Sequence, residues 1–464
     1  MKKILIVSHS LEIGGAEKSL LGFLDAVDTE RYEVDVFLLR REGEWLSYLP
    51  EHVRLLPEIP AYTVLARPMK DTLREGHVLL TAARLAGKIA AAFYDRGLRR
   101  SLRRSLSGKE EDHPAADSKG QADAVGAVAK NAAESAAENA PEGAIESAAA
   151  LEYSHRFTRK LMPPIAPETE YDCVISFMTP HYFAAEKVRA RKRIAWIHTD
   201  YSRVAVDVDA ELKMWGAYDY IVSISDAVTK SFLQLFPTLA EKILPCGNVL
   251  PEKLIRALAE EKPERESVPA SKESDNGSEA DAPAVGAADE MPEDGTVRLL
   301  SVGRFCTAKN FDSVPAIARR IREMGIPATW YLIGYGSDEA LIRQRIREEG
   351  AEDFVRILGK KVNPYPYIKA CDLYVQPSRY EGKCVTVCEA QMLGKPVVIT
   401  AYPTAKSQLR DGVDGVIVPT DIEGCAKGIA GLLRDSARME SLAAATRVTD
   451  YTNKNELEKV YKVL

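Results

Sequence analysis

The chain has no run of roughly 18 apolar residues of the kind that crosses a bilayer, no C-x-x-C pair and no G-x-G-x-x-G fingerprint in its 464 residues. The first absence argues against a membrane-spanning helix. The second argues against a zinc ribbon or dithiol redox centre, and the third against a nicotinamide dehydrogenase. The seven cysteines, Cys173, Cys246, Cys306, Cys371, Cys384, Cys388 and Cys425, are scattered and odd in number, which fits free thiols in a reducing cytosol. Cys384 and Cys388 share a helical spacing, but two thiols without further partners make a poor metal site, and no metal is expected. Basic excess is missing as well: the net charge is −6. From Glu260 to Asp294 twelve acids face three bases, so the acidity belongs to that stretch and the remainder is slightly basic. Nothing there calls for a nucleic-acid partner.

What is present is a repeated alternation of short Val/Ile/Leu runs with helical patterns. ILIVSHS follows Met1-Lys2-Lys3 with no small-residue cleavage site behind it, and is expected to be the first strand of a folded domain. Strand candidates fall at 3–9, 32–39, 53–56, 171–177, 192–198 and 218–225, then at 297–303, 329–334, 354–359, 372–377, 396–400 and 415–419. Two α/β domains of the doubly wound, Rossmann-like kind follow. The expected division is an N-terminal domain over 1–261, with an insert near 62–165 that is partly low-complexity. A flexible acidic linker over 262–296 and a C-terminal domain over 297–445 come next, and residues 446–464 close the chain as a further segment.

Chemistry concentrates in SRYEGKCVTVCEAQMLGKPVV, where seven residues separate Glu381 from Glu389. On a helix that spacing is roughly 12 Å, whereas paired glycosidase carboxylates stand at roughly 5 to 9.5 Å. The two acids therefore suit the two ends of one elongated ligand better than an acid/base couple; two unrelated acids on one short helix is the plainer reading. Lys383, Cys384, Val385 and Thr386 lie between them at a strand-to-helix turn whose free N–H groups suit phosphate. Arg304 and Lys309, in SVGRFCTAKN, would neutralise a diphosphate from a neighbouring loop, or simply be solvated. Gly334, in LIGYGS, marks a third strand-to-loop element. Gly14 and Gly15 open a helix near Ala16 and offer an anion-binding turn. His198 ends a strand, where it is either a satisfied structural residue or a partner for a sugar hydroxyl.

Residues 83–106 carry seven bases and one acid, with Leu, Ile and Phe gathering to one side at helical spacing. Either this helix lies on an anionic membrane surface, or it is solvated with its arginines favouring its own C-terminal dipole.

The stretches GGAE (Gly14 to Glu17), SVGR…KN (Ser301 to Asn310) and E-x7-E (Glu381 to Glu389) resemble glycosyltransferase family 4, retaining enzymes of the GT-B fold, in which two Rossmann-like domains face across a cleft. The resemblance covers nearly all the C-terminal half and, more loosely, residues 1–60 and 170–250. It implies Arg304 and Lys309 on the donor diphosphate, Glu389 on ribose hydroxyls and Glu381 near the donor sugar. It also implies Gly15 near the diphosphate, His198 approaching the transferred sugar, and no metal or other cofactor, the nucleotide-sugar being a substrate. The implied reaction moves a hexosyl unit from a nucleoside diphosphate sugar, a UDP-sugar favoured, to a lipid-linked or oligosaccharide acceptor in surface polysaccharide synthesis. The implied location is cytoplasmic and peripheral on the inner membrane face. Lys383 and Cys384 depart from the commonest family pattern, which keeps open a second reading as a catalytically weak partner of another transferase.

Overall fold

The computed structural model describes residues 1–65, 67–106, 146–147, 149–178, 181–202, 204–261 and 291–464, with the backbone alone at 97–106, 146–147 and 149–151. The Ala-rich stretch through 145 and the acidic linker through 290 thus lie outside the described residues. The chain forms two units, Met1–Val249 with Asn453–Leu464, and Leu250–Thr452.

The first unit is built on a seven-stranded sheet of β1 (Lys2–Ser8), β2 (Tyr32–Leu38), β3 (Val53–Leu55), β4 (Tyr171–Ser176), β5 (Ala190–Ile197), β6 (Tyr220–Ser223) and β7 (Ile243–Pro245), in the order β3-β2-β1-β4-β5-β6-β7. Every pairing is parallel, with Ile4 opposite both Val34 and Cys173. Strands covered on both faces need apolar side chains at successive positions, and Ile4 to Val7 are all buried. Within this sheet β7 escaped the sequence pattern. The insert is more than a tether: Tyr62, Leu65, Leu80, Met162 and Ile165 join Leu5, Phe37, Val174 and Phe183 in the core. Helix α1 (Gly15–Ala26) follows β1, and the insert supplies α2 (Val78–Leu106) and α3 (Ala149–Thr158).

The second unit repeats the plan with six parallel strands: β8 (Val297–Val302), β9 (Ala328–Ile333), β10 (Val355–Gly359), β11 (Leu373–Gln376), β12 (Val397–Thr400) and β13 (Val416–Val418), ordered β10-β9-β8-β11-β12-β13. Its core gathers Leu299, Trp330, Leu332, Val375, Val398 and Ile429. The helices that matter to the site are α4 (Glu252–Glu260), α5 (Tyr365–Ala370), α6 (Val385–Met392) and α7 (Ala405–Gln408).

Three expected boundaries move. Helix α4 belongs to the second unit, since Ile255 and Leu258 are buried, the Leu258 carbonyl accepts from Asn363 Nδ2 at 2.8 Å, and Lys369 pairs with Glu260 at 2.6 Å. The division therefore falls at 249/250 rather than at 261. The acidic linker does not run free to 296, because Met291 is fully buried and Arg298 pairs with Glu293. At the C-terminus, a helix ending at Val448 stays with the second unit; residues 453–464 form a turn and the short helix Leu457–Tyr461 in the first unit, where Tyr461 stacks on Tyr32 at 5.3 Å.

Candidate active site

In an open parallel sheet, ligands bind beyond the strand C-termini where the strand order reverses. In the second unit that point lies between β8 and β11, so the loops after these strands are forced side by side. Phe305, fully buried, anchors the first loop and leaves its neighbour Arg304 exposed. Asn310 takes a left-handed conformation (φ 59) and donates through Nδ2 to the Pro377 carbonyl at 2.9 Å. Arg379 N–H donates to the Ala308 carbonyl at 2.8 Å, and its guanidinium holds Asp312 through two bonds of 2.9 and 2.8 Å. A further bond from the guanidinium to the Thr307 carbonyl at 2.8 Å adds to these staples between the two loops.

Between these staples Lys309 Nζ donates to Glu381 Oε1 at 2.7 Å and lies 3.7 Å from Cys384 Sγ. Burial works against the charge on Lys309, yet Cys384 and Glu381 beside it hold its pKa above the ordinary lysine value. Burial pushes the Cys384 thiol up and keeps it neutral at pH 7, so the charge that Lys309 meets there is Glu381. Glu381 is positioned in turn by a relay along one face of β11. Tyr374 OH donates to Gln376 Oε1 (2.9 Å), Gln376 Nε2 to Ser378 Oγ (2.9 Å), and Ser378 Oγ to Glu381 Oε1 (2.6 Å). Arg304 shares the Lys309 loop but makes no ion pair among the described residues.

Glu381 stands in the loop before α6, whose N-cap is Cys384. Gln408 on α7 holds that cap from both sides: Oε1 accepts from Cys384 N–H at 2.7 Å, and Nε2 donates to the Cys384 carbonyl at 3.1 Å. Thr404 Oγ1 donates to the Glu381 carbonyl at 2.7 Å. The N–H groups that α6 offers an anion are then those of Val385 and Thr386, both half-buried, with Lys383 half-buried just ahead of them. Glu389 is placed differently. It is fully buried inside α6 and Oε1 accepts from Tyr365 OH at 3.0 Å. The two glutamates are thus held by different groups, one beside a cation and one beside a phenol.

Gly334 braces the same region. Its φ of +152° suits glycine, and a Cβ there would stand 1.9 Å from the Gly303 carbonyl oxygen. Gly303 N–H donates to the Ile333 carbonyl and Phe305 N–H to the Tyr335 carbonyl, so this turn holds the Arg304 loop in place.

In the first unit, Gly14 is the extended N-cap of α1 and Gly15 its first residue. A Cβ on Gly14 would meet Glu17 Oε2 at 2.1 Å, so the Glu17 carboxylate lies against the turn. An anion arriving there competes with that acid. His198 follows β5 with its ring 4.9 Å from Phe177. Burial pulls its pKa down to about 4 against a hydrogen bond to the Phe177 backbone, and Nε2 has no partner among the described residues.

Residues 288–449 match the sequence profile of the family described as Glycosyl transferases group 1. The match spans about a third of the chain. The chain is 29% identical over 157 residues to the lipopolysaccharide core biosynthesis glycosyltransferase LpsE of Rhizobium meliloti, covering 33% of this chain and 44% of that protein. It is 28% identical over 145 residues to the amylovoran biosynthesis glycosyltransferase AmsK of Erwinia amylovora, covering 30% and 35%. The chain spans less than half the length of either relative. Among solved structures, Anabaena HepE in complex with UDP-glucose superposes over 100% of both chains with a TM-score of 0.57 at 15% identity, a likeness of fold. Two parallel-sheet, Rossmann-like domains are common to both.

Within residues 288–449, sequence reasoning singled out Arg304, Lys309, Glu381 and Glu389 and passed over the residues that hold the last three. Ser378 and Gln376 had a signal, polar residues at alternate positions of an otherwise apolar strand. Thr404, Gln408 and Arg379 had none, because their partners are backbone atoms or lie more than 20 residues away.

Proposed function

We propose that the chain is a retaining glycosyltransferase that moves a hexosyl unit from a nucleoside diphosphate sugar to a saccharide acceptor carried on a lipid, in the synthesis of a bacterial surface polysaccharide. The observation that carries this reading is the Lys309–Glu381 pair, 2.7 Å apart at the switch point of the second sheet, beside the N-terminus of α6. A diphosphate needs cations and N–H donors; Arg304, Lys309, Val385 and Thr386 supply both on adjoining loops. Glu381 keeps acceptor capacity on its carboxylate for a sugar hydroxyl, and Glu389 is the acid assigned to ribose. The family resemblance assigns Gly15 to the diphosphate side, with Gly14 in the same anion-binding turn, and His198 to the transferred sugar. A neutral imidazole whose Nε2 has no partner among the described residues suits a hydrogen bond accepted from a sugar hydroxyl.

In the reaction, the bond from the anomeric carbon to the diphosphate oxygen breaks as Arg304 and Lys309 take up the growing negative charge. The acceptor hydroxyl forms its bond on the same face, and its proton passes to the departing diphosphate. No protein nucleophile is assigned. A UDP-sugar is favoured, in keeping with the UDP-glucose held by the HepE neighbour and with relatives in lipopolysaccharide core and amylovoran biosynthesis.

The test is a donor screen on the purified chain. A UDP-sugar at 100 times its dissociation constant should stabilise the fold by about 2.7 kcal/mol, GDP-mannose should not, and slow hydrolysis of the same donor should release UDP. Stabilisation without hydrolysis or transfer would instead favour a catalytically weak partner subunit, and indifference to every nucleotide sugar would sink the assignment.

A further inference from the structure

We propose that the outward face of α2 is a docking surface for an anionic lipid membrane. This surface is independent of the donor chemistry above. Helix α2 is 29 residues long and has two apolar faces where an ordinary surface helix has one. The inner face packs on the first unit: Leu80, Arg84 and Ala91 are buried, and a Cβ on Gly87 would stand 2.8 Å from the Tyr153 carbonyl of α3. Buried Arg84 is spent internally, donating to the carbonyls of Val64 and Arg67.

The outer face presents Val78, Leu85, Ile89 and Phe93, which are 56, 50, 51 and 67% exposed. Their spacing sets them in one stripe along the helix. Leu79 at 73% adjoins it, and Lys88 and Arg96 are exposed alongside. Side chains of this size left in water in a row mark a binding surface.

Charge selects the occupant. The backbone of α2 continues to Leu106, and its last turns carry Arg99, Arg100, Arg103 and Arg104; over 83–106 there are seven bases and one acid. An apolar stripe joined to a basic end suits acyl chains beneath phosphate head groups, with each base near the surface adding to the attraction. A second copy of the chain would bring like charges together. Among the described residues no helix is long and apolar enough to cross a membrane, so α2 would lie on the surface.

The experiment uses the full chain with sedimenting vesicles of phosphatidylcholine, with and without phosphatidylglycerol. Binding should favour the anionic vesicles by at least about tenfold, and added salt should weaken it. Ile89→Asp with Phe93→Asp should lower the partition coefficient by about tenfold or more. Arg99→Gln with Arg103→Gln should remove most of the preference for phosphatidylglycerol. Positions 89 and 93 are exposed, so the thermal melt and the nucleotide-sugar affinity should stay at the wild-type values. Wild type that ignores anionic vesicles, variants that bind as wild type does, or a solution dimer dissociated by Phe93→Asp would each overturn the proposal.

Discussion

Lys309 and Arg304 are five residues apart on one loop, yet they are placed for different fates. Arg304 is exposed with no ion pair among the described residues, whereas the Lys309 side chain is 18% exposed against a Glu381 side chain of 11%. Arg304→Ala should therefore change stability by less than about 0.5 kcal/mol while lowering donor affinity or turnover at least about tenfold, a loss of about 1.4 kcal/mol. Lys309→Ala should lose turnover to the same degree and also cost about 1–3 kcal/mol of stability, because Glu381 is left half-buried beside a neutral thiol. Urea denaturation and donor kinetics on both variants check the contrast. Equal stabilities would show that the pair does not hold the loop, and wild-type turnover in both would remove them from the site. The types of these residues were legible in the sequence, since phosphate chemistry needs cations at strand ends. That Lys309 meets Glu381 was not, because a 72-residue separation is closed only by the strand order.

At the scale of elements, the turn 381–384 is held from outside itself. Thr404 fixes its first carbonyl and Gln408 fixes both backbone groups of Cys384, so a four-residue helix, α7, sets where α6 begins and where its free N–H groups lie. Gln408→Ala should leave two buried backbone groups unpaired and cost about 2 kcal/mol. Its sharper test is Gln408→Met, which restores the volume but neither bond. If the amide positions the turn, Met should raise the donor KM as far as Ala does while recovering part of the melting temperature; a wild-type KM in Met would reduce Gln408 to packing. The same scale explains what sequence reading got right about the fold. Twelve strands were visible because doubly covered parallel strands must be apolar throughout. Helix α4 was assigned to the wrong unit because an amphipathic pattern says that Ile255 and Leu258 need a partner without saying which one.

For the whole molecule, all seven histidines lie within the first 198 residues, so the second unit has none. Burial keeps three of them neutral at pH 7, and lowers the pKa of His9 as well, with Arg40 adding. Burial, with His9 and Arg84 adding, brings His155 down to about 3; burial, with His198 and His155 adding, brings His181 to about 3, and His198 stands near 4. Unfolded, each would titrate near 6.5, so as pH falls below that value the unfolded chain gains protons that the folded chain refuses, and stability is lost until the folded values are reached. Glu211 opposes this. Burial and nearby Glu152 raise it to about 7, so the folded chain binds a proton there that the unfolded chain does not, and Glu152, raised by its own burial, adds to the offset. The unfolded histidines are half protonated at pH 6.5 and about nine-tenths protonated at pH 5.5, so only from about pH 5.5 down do they outnumber the protons held by the two acids by about one or more, a loss of about 1.4 kcal/mol per pH unit. Trp45, Trp196 and Trp215 belong to the first unit and only Trp330 to the second, so urea unfolding followed by fluorescence reads mainly the unit concerned. His155→Gln should flatten the pH slope, and Glu211→Gln, which keeps an oxygen for Tyr201 and Trp215 but removes the titration, should steepen it. If both variants track the wild-type slope, the acid sensitivity has another source and these buried groups do not set it.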